Sequence, residues 1–119
     1  MSAYPTHSVT PVTVVDAGPQ LTMENAHELL RLIQAVPSGL CPRVVVNMHR
    51  TRVMDSTGVG ALVSSMRYVR QQQGGFALTN LSPELQRMFH LMNLDGILAV
   101  YESVEVATQR LSSPASSRT

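Results

Sequence analysis

The chain contains no lysine, no tryptophan and a single cysteine, Cys41, in 119 residues. Without a lysine amine there can be neither Schiff-base catalysis nor the lysine of a phosphate-binding P-loop. One cysteine permits no internal disulfide and leaves a cysteine-based zinc site without its ligands. Aromatic residues amount to 4%, too few for the stacked rings of RNA-binding sheets or single-strand grooves. The formal net charge is only +1, from nine arginines against eight acidic residues, so no field of one sign points to nucleic acid or an anionic membrane surface. No apolar run approaches the roughly 18 residues of a membrane span. The first residues, Met1-Ser2-Ala3-Tyr4-Pro5, lack the basic start and apolar stretch of a secretory signal. These absences make a cytoplasmic protein without cofactor, metal or membrane insertion the default expectation.

What remains is ordinary globular material, 44% apolar and carried by Val, Leu, Ile, Met and Ala. This length suits one domain with one core. Residues 1–8, with Pro5, read as a loose arm. Residues 12–15 form a β-branched run, and Pro11 holds that region to a sheet edge. After the Gly18-Pro19 turn, Thr22 is positioned to cap a helix with Met23, Ala26, Leu29, Leu30 and Ile33 at helical spacing. Pro37-Ser38-Gly39 stops it. Val44-Val45-Val46 reads as a central strand covered on both faces. A second helix follows Asp55-Ser56-Thr57-Gly58, carries Val59, Leu62, Val63, Met66 and Val69 on one stripe, and ends at Gly74-Gly75, read as a left-handed C-cap. Residues 76–79 are a strand. Ser82 caps a third helix with Pro83 at its first position and Leu85, Met88, Phe89 and Met92 inward. Residues 97–101 are a further strand after Gly96. Ser103 caps a last helix to about Leu111, before a Ser-rich tail expected to be disordered from 112 to 119. Strands alternating with helices imply βαβ units and a largely parallel sheet.

In open α/β sheets ligands and partners meet the chain where strands end and helices begin, and residues 53–59 are such a place. Ser56 falls at or beside a helix N-terminus, where free N–H groups favour negative charge. Gly58 and Gly60 leave the backbone bare for a partner or a phosphate. Spacing alone favours a plainer reading, in which Asp55 or Ser56 caps the helix and the glycines serve close helix–sheet packing. His49, Arg50 and Arg52 form a basic stretch that is either a solvated loop or part of a partner surface. A serine hydrolase would need a Gly-x-Ser-x-Gly elbow and a histidine base; none of His7, His27, His49 and His90 has a spacing that marks it as one.

The run Val44-Val45-Val46-Asn47, then Val53-Met54-Asp55-Ser56-Thr57-Gly58-Val59-Gly60-Ala61-Leu62, resembles the signature of the STAS family, in particular the bacterial anti-sigma factor antagonists. The likeness continues through Gly74-Gly75, Asn80, Leu81-Ser82-Pro83-Glu84-Leu85 and Leu91-Met92-Asn93-Leu94, and covers about residues 21–111. It implies a STAS-like α/β fold over residues 9–111, a small, mostly parallel mixed sheet of about four strands with about four helices packed against it. It also implies that Ser56 is the serine phosphorylated by a partner anti-sigma factor with serine kinase activity. The unphosphorylated chain would bind that partner, phosphorylation would end the binding, and a serine phosphatase would restore it. Asp55, Thr57 and Gly58 would then shape the recognition loop of a protein that is no enzyme. The chain departs from the family pattern at Thr22 and Asn47, where acidic residues are common, and in the basic residues 49–52; its short N-terminal arm leaves little room for the usual opening pair of strands. Two other roles fit the same residues: a STAS accessory subunit of a transporter or stress-signalling complex with no phosphorylation cycle, and a nucleotide-binding module or weak hydrolase using the Ser56 turn as a phosphate cradle.

Overall fold

Apolar β-branched runs become strands and apolar stripes of helical period become the helices that cover them. The computed structural model describes residues 6–9, 12–36 and 41–112. In chain order the elements are β1 (Thr6–Val9), β2 (Val12–Asp16), β3 (Gln20–Leu21), α1 (Ala26–Gln34), β4 (Arg43–Asn47), β5 (Val53–Met54), α2 (Ser56–Gln71), β6 (Gly75–Thr79), α3 (Pro83–Leu91), a 3-10 turn at Leu94–Gly96, β7 (Ala99–Tyr101) and α4 (Val104–Ser112). The main sheet runs β1-β2-β4-β6-β7. Its last four strands are parallel, and β1 pairs antiparallel to β2.

The valine run of β4 shows why its hydrophobicity is unbroken. Val44 and Val46 face a core shared with Leu29, Ile33, Leu62, Met66, Val69, Leu85 and Phe89 of the first three helices. Val45 points the other way, onto Val12, Val14, Ala77 and the α4 residues Ala107 and Leu111. With helices on both sides, the three central positions of this strand are all buried. The strand order never reverses, and crossovers of one hand then stack α1, α2 and α3 on a single face. The crevice that binds nucleotides in doubly wound sheets forms where strand order reverses, and the described strands contain no such point.

The α/β class, the parallel sheet and the four helices match the expectation; several local readings do not. The arm expected over residues 1–8 overlaps strand β1, whose register pairs Thr6 with Val15 and Val9 with Val12. Backbone pairing with β2 supplies what the sequence pattern there does not, and the opening strand pair is present. Residues 1–5, 10–11, 37–40 and 113–119, with the stop at Pro37-Ser38-Gly39 and most of the tail, lie outside the described residues; Ser112 closes α4. Thr22 does not cap α1. The helix starts at Ala26 after a turn in which the Thr22 carbonyl accepts from Asn25 and Ala26, and Met23, expected inward, is 70% exposed. Met92 and Ile97 are also exposed, at 48% and 46%, because α3 has ended by Leu91 and β7 begins only at Ala99.

The end of α2 carries a further correction. The left-handed residue is Gln73 (φ 64), not a glycine. Gly74 N–H donates to Val69 O and Gln73 N–H to Arg70 O, the paired bonds of a Schellman cap. Gly74 is a glycine for another reason: a Cβ there would overlap the Pro42 carbonyl oxygen. The other caps follow expectation. Ser82 Oγ accepts from Leu85 N–H at 3.2 Å with Pro83 at the first position, and Ser103 Oγ accepts from Val106 N–H at 3.1 Å.

Candidate functional site

Three connections at the C-terminal end of the sheet lock together into one rim. Leaving β2, Ala17 N–H donates to Asn47 O, and leaving β4, Met48 N–H donates to Thr79 O. The short strands β3 and β5 pair in parallel beyond the main sheet, Gln20 with Val53 and Leu21 with Met54. Two-residue strands leave no periodic trace, so neither is legible in the sequence. Asn47 stood out in the sequence only as a departure from the family pattern; its role as a hub was not legible there. Its Oδ1 accepts from Asn80 Nδ2 (2.9 Å), His49 N–H (3.2 Å) and Thr79 Oγ1 (3.5 Å), joining the loops after β4 and β6. These are acceptor duties, which a carboxylate could equally perform.

Ser56 is the first residue of α2 and is exposed. Asp55, in extended backbone before it, is the cap: Oδ1 accepts from Gly58 N–H at 2.9 Å. Its other oxygen, Oδ2, accepts from Met23 N–H at 3.0 Å, and Asp55 N–H donates to Leu21 O at 3.4 Å. The carboxylate therefore ties the turn before α1 to the start of α2. The Gly58 N–H, then the Met23 N–H, holds the Asp55 carboxyl below its ordinary value of 3.8. Hydrogen bonds donated to the charged form produce that direction of shift. With both oxygens engaged, Asp55 is a poor candidate for a base acting on Ser56. Among the described residues no histidine hydrogen-bonds the Ser56 hydroxyl, and His90 pairs instead with Asp95 at 3.1 Å.

The two glycines part company. Gly58 is buried, and a Cβ there would run into the Leu21 carbonyl oxygen and come within 2.9 Å of Met54 Cγ. It serves packing, so its place in the site is to hold β3 against α2. Gly60 is exposed with open space around it. Thr57 is half-buried and, with His27, Leu30, Gly60, Ala61 and Ser64, lines a shallow, mostly apolar groove of about 250 Å³ between α1 and α2. His49, Arg50 and Arg52 are all exposed. They stand on a braced loop in which Thr51, fully buried, donates from Oγ1 to Gly18 O at 2.8 Å and Arg52 N–H donates to Pro19 O at 2.8 Å. His49 and Arg52 line a polar cleft of about 680 Å³ with Asn80, Ser82 and Glu84 on its far wall. The predicted residues thus share one rim. Ser56, Arg50, Arg52 and His49 face outward, and Asp55 and Gly58 organise it.

The STAS domain family model matches residues 4–107. The chain belongs to the STAS family. An anti-sigma F factor antagonist of Paenibacillus polymyxa is 22% identical to this STAS domain over 74 residues, 62% of this chain and 63% of that protein. The chain thus spans a little under two thirds of that relative's length. The crystal structure of an anti-sigma factor antagonist from Mycobacterium paratuberculosis superposes with a TM-score of 0.79 at 21% identity, covering 93% of this chain and 94% of that one. The phosphorylated form of the Bacillus cell fate determinant SpoIIAA superposes with a TM-score of 0.69 at 23% identity, over 91% and 98% of the two chains. At these identities the structural likeness establishes the STAS fold. Among the described residues, no helix of this domain is long and apolar enough to cross a membrane.

Proposed function

We propose that this STAS domain is an anti-sigma factor antagonist, acting in the cytoplasm, that binds an anti-sigma factor with serine kinase activity and is switched off by phosphorylation of Ser56. The observation that carries this reading is the exposed Ser56 hydroxyl at the first position of α2, beside a carboxylate already committed to backbone donors. In the modification the γ-phosphoryl group of ATP passes to Ser56 Oγ, the bond to the ADP oxygen breaks and the hydroxyl proton leaves. Because Asp55 is engaged, the group that takes that proton belongs to the kinase. Thr57 is half-buried and Ser56 exposed, which favours Ser56 as the acceptor.

The phosphate adds roughly −1.5 to −2 charges and three acceptor oxygens. Within the domain, the N-terminal N–H groups of α2 solvate such a charge, so the fold persists. At a docked interface the same dianion meets desolvation and any carboxylate opposite it, and like-charge contact there costs several kcal/mol. Each ~1.4 kcal/mol is a factor of ten in affinity, so local repulsion suffices to end the complex. A serine phosphatase, by hydrolysing the ester, returns the hydroxyl and the binding surface. Asp55, Thr57, Gly58, His49, Arg50 and Arg52 complete the recognition surface in this reading, Gly58 through packing and the others along the rim.

The test is direct. Incubation of the purified chain with ATP and each anti-sigma kinase of the source organism, followed by intact-mass measurement, gives one added phosphate that Ser56→Ala abolishes. If none of those kinases modifies the chain, the reading is wrong.

A further inference from the structure

The rim carries a charge pattern that the switch at Ser56 does not explain. Three of the four residues at positions 49–52 are His or Arg, and the fourth, Thr51, is buried and anchors the loop. Among the described residues the ion pairs are His49 with Asp16 at 3.7 Å and His90 with Asp95, so no arginine there has a carboxylate partner. Arg50 and Arg52 stand on a loop, whereas the other described arginines stand on helices or on β4, but this loop is braced. Thr51 N–H donates to Met48 O, Arg52 N–H to Pro19 O, and His49 N–H to Asn47 Oδ1. A loop braced in this way has little backbone ordering left to lose on binding, so the remaining cost is that of the arginine side chains.

Position supplies the second part of the argument. Arg52 leads through β5 and Asp55 to Ser56, four residues on, which is at most ~14 Å of extended chain. An ordinary protein interface covers about 800 Å² on each partner, so Arg50, Arg52 and Ser56 fall within one footprint. The carboxylates around it are Glu24 in the turn before α1, Glu84 across the polar cleft and Asp16, which pairs with His49. Asp55 lies inside it, but its oxygens are turned to the Gly58 and Met23 amides. Between them the charges of Arg50 and Arg52 are exposed and, among the described residues, without a carboxylate at ion-pair distance.

We propose that Arg50 and Arg52 are a second, electrostatic half of the docking surface and receive an acidic segment of the anti-sigma partner. This rests on the antagonist reading given above and adds the chemistry of the partner to it. Complementary charge of this kind raises the association rate and sets register more than it deepens the bound state.

The experiment measures binding of the purified full chain to each purified anti-sigma factor of the source organism, by interferometry between 50 and 500 mM salt. The variants are the Arg50→Glu/Arg52→Glu double reversal, Ser56→Asp, and Arg87→Glu on the exposed surface of α3. For a factor that binds the wild type, the double reversal weakens binding at least tenfold at low salt, chiefly through a slower association rate, and flattens the salt dependence. Arg87→Glu leaves both unchanged, and the melting temperature of each variant confirms its fold. If Ser56→Asp abolishes binding while the double reversal binds with wild-type affinity and salt slope, the acidic-segment proposal is overturned and the antagonist reading stands. If no anti-sigma factor binds the wild type, both are overturned.

Discussion

Replacing Gly58 with alanine tests the junction on which the Ser56 rim depends. In the interior of a solvated helix, Gly→Ala stabilises by up to ~1 kcal/mol through backbone entropy. At Gly58 the new methyl would point into the Leu21 carbonyl oxygen, well inside the ~3.3 Å that a carbon keeps from such an oxygen. Met54 Cγ can swing aside, but the Leu21 carbonyl is fixed because it accepts from Asp55 N–H. Relief therefore requires α2 to move off β3, stretching the bond from Met23 N–H to Asp55 Oδ2 with it. Overpacking of this kind costs ~1–3 kcal/mol, and the propensity gain offsets part of it, leaving a net loss of ~1–2 kcal/mol. For a chain of this length 1 kcal/mol is about 4 °C in melting temperature, so Gly58→Ala melts about 4–8 °C below wild type. Gly60→Ala is the control in the same helix. Its Cβ meets nothing within 4 Å, so it melts about 2–4 °C above wild type. Differential scanning calorimetry of the three proteins decides the matter. A Gly58→Ala protein melting at or above wild type would refute the close approach of β3 to α2.

Other consequences follow from the same geometry. Ser56→Asp keeps the wild-type melting temperature within a few degrees and loses at least tenfold in affinity for the anti-sigma partner; unchanged affinity in a titration removes charge repulsion as the mechanism. Because the Asp55 carboxyl is held below 3.8 in the folded chain, the stability it contributes is complete above 3.8 and is lost as pH falls through the lowered value. Asp55→Asn accordingly flattens the acid limb of a melting-temperature profile taken below pH 4, and a limb identical to wild type contradicts the assignment. Asn47→Asp, which preserves the acceptor for Asn80 and His49, leaves the midpoint of urea unfolding nearly unchanged, whereas Asn47→Ala lowers stability by ~1–2 kcal/mol. Ser82→Ala removes the α3 cap and costs ~1 kcal/mol, about 4 °C in the same calorimetric assay.

The parallel sheet, its central valine strand and the four helices were legible in the residues themselves. Burial on one face or on two leaves a period of 3.6 or an unbroken β-branched run, and caps such as Ser82-Pro83 mark the ends by local hydrogen bonding. The position of Ser56 at a helix start was legible for the same reason, and the motif around it carried the resemblance to the STAS family. The roles of its neighbours were legible in part: a cap at Asp55 or Ser56 was expected, and Asp55 is the cap. Met23 fits a helical stripe by spacing yet faces water, because the turn ahead of Ala26 is set by Asn25 and by the Asp55 carboxylate arriving from another element. Gly58 was open to two readings, bare backbone or close packing, and spacing favoured packing; only the structure names the β3 backbone as what it packs against. The β3–β5 ribbon and the Asn47 hub depend on which distant backbone lies alongside, and strand β1 on its antiparallel pairing with the adjacent β2. Local periodicity records which face of an element is buried. Only the assembled sheet decides which carbonyl or amide that face will meet, because such contacts join segments whose order along the chain imposes no repeat.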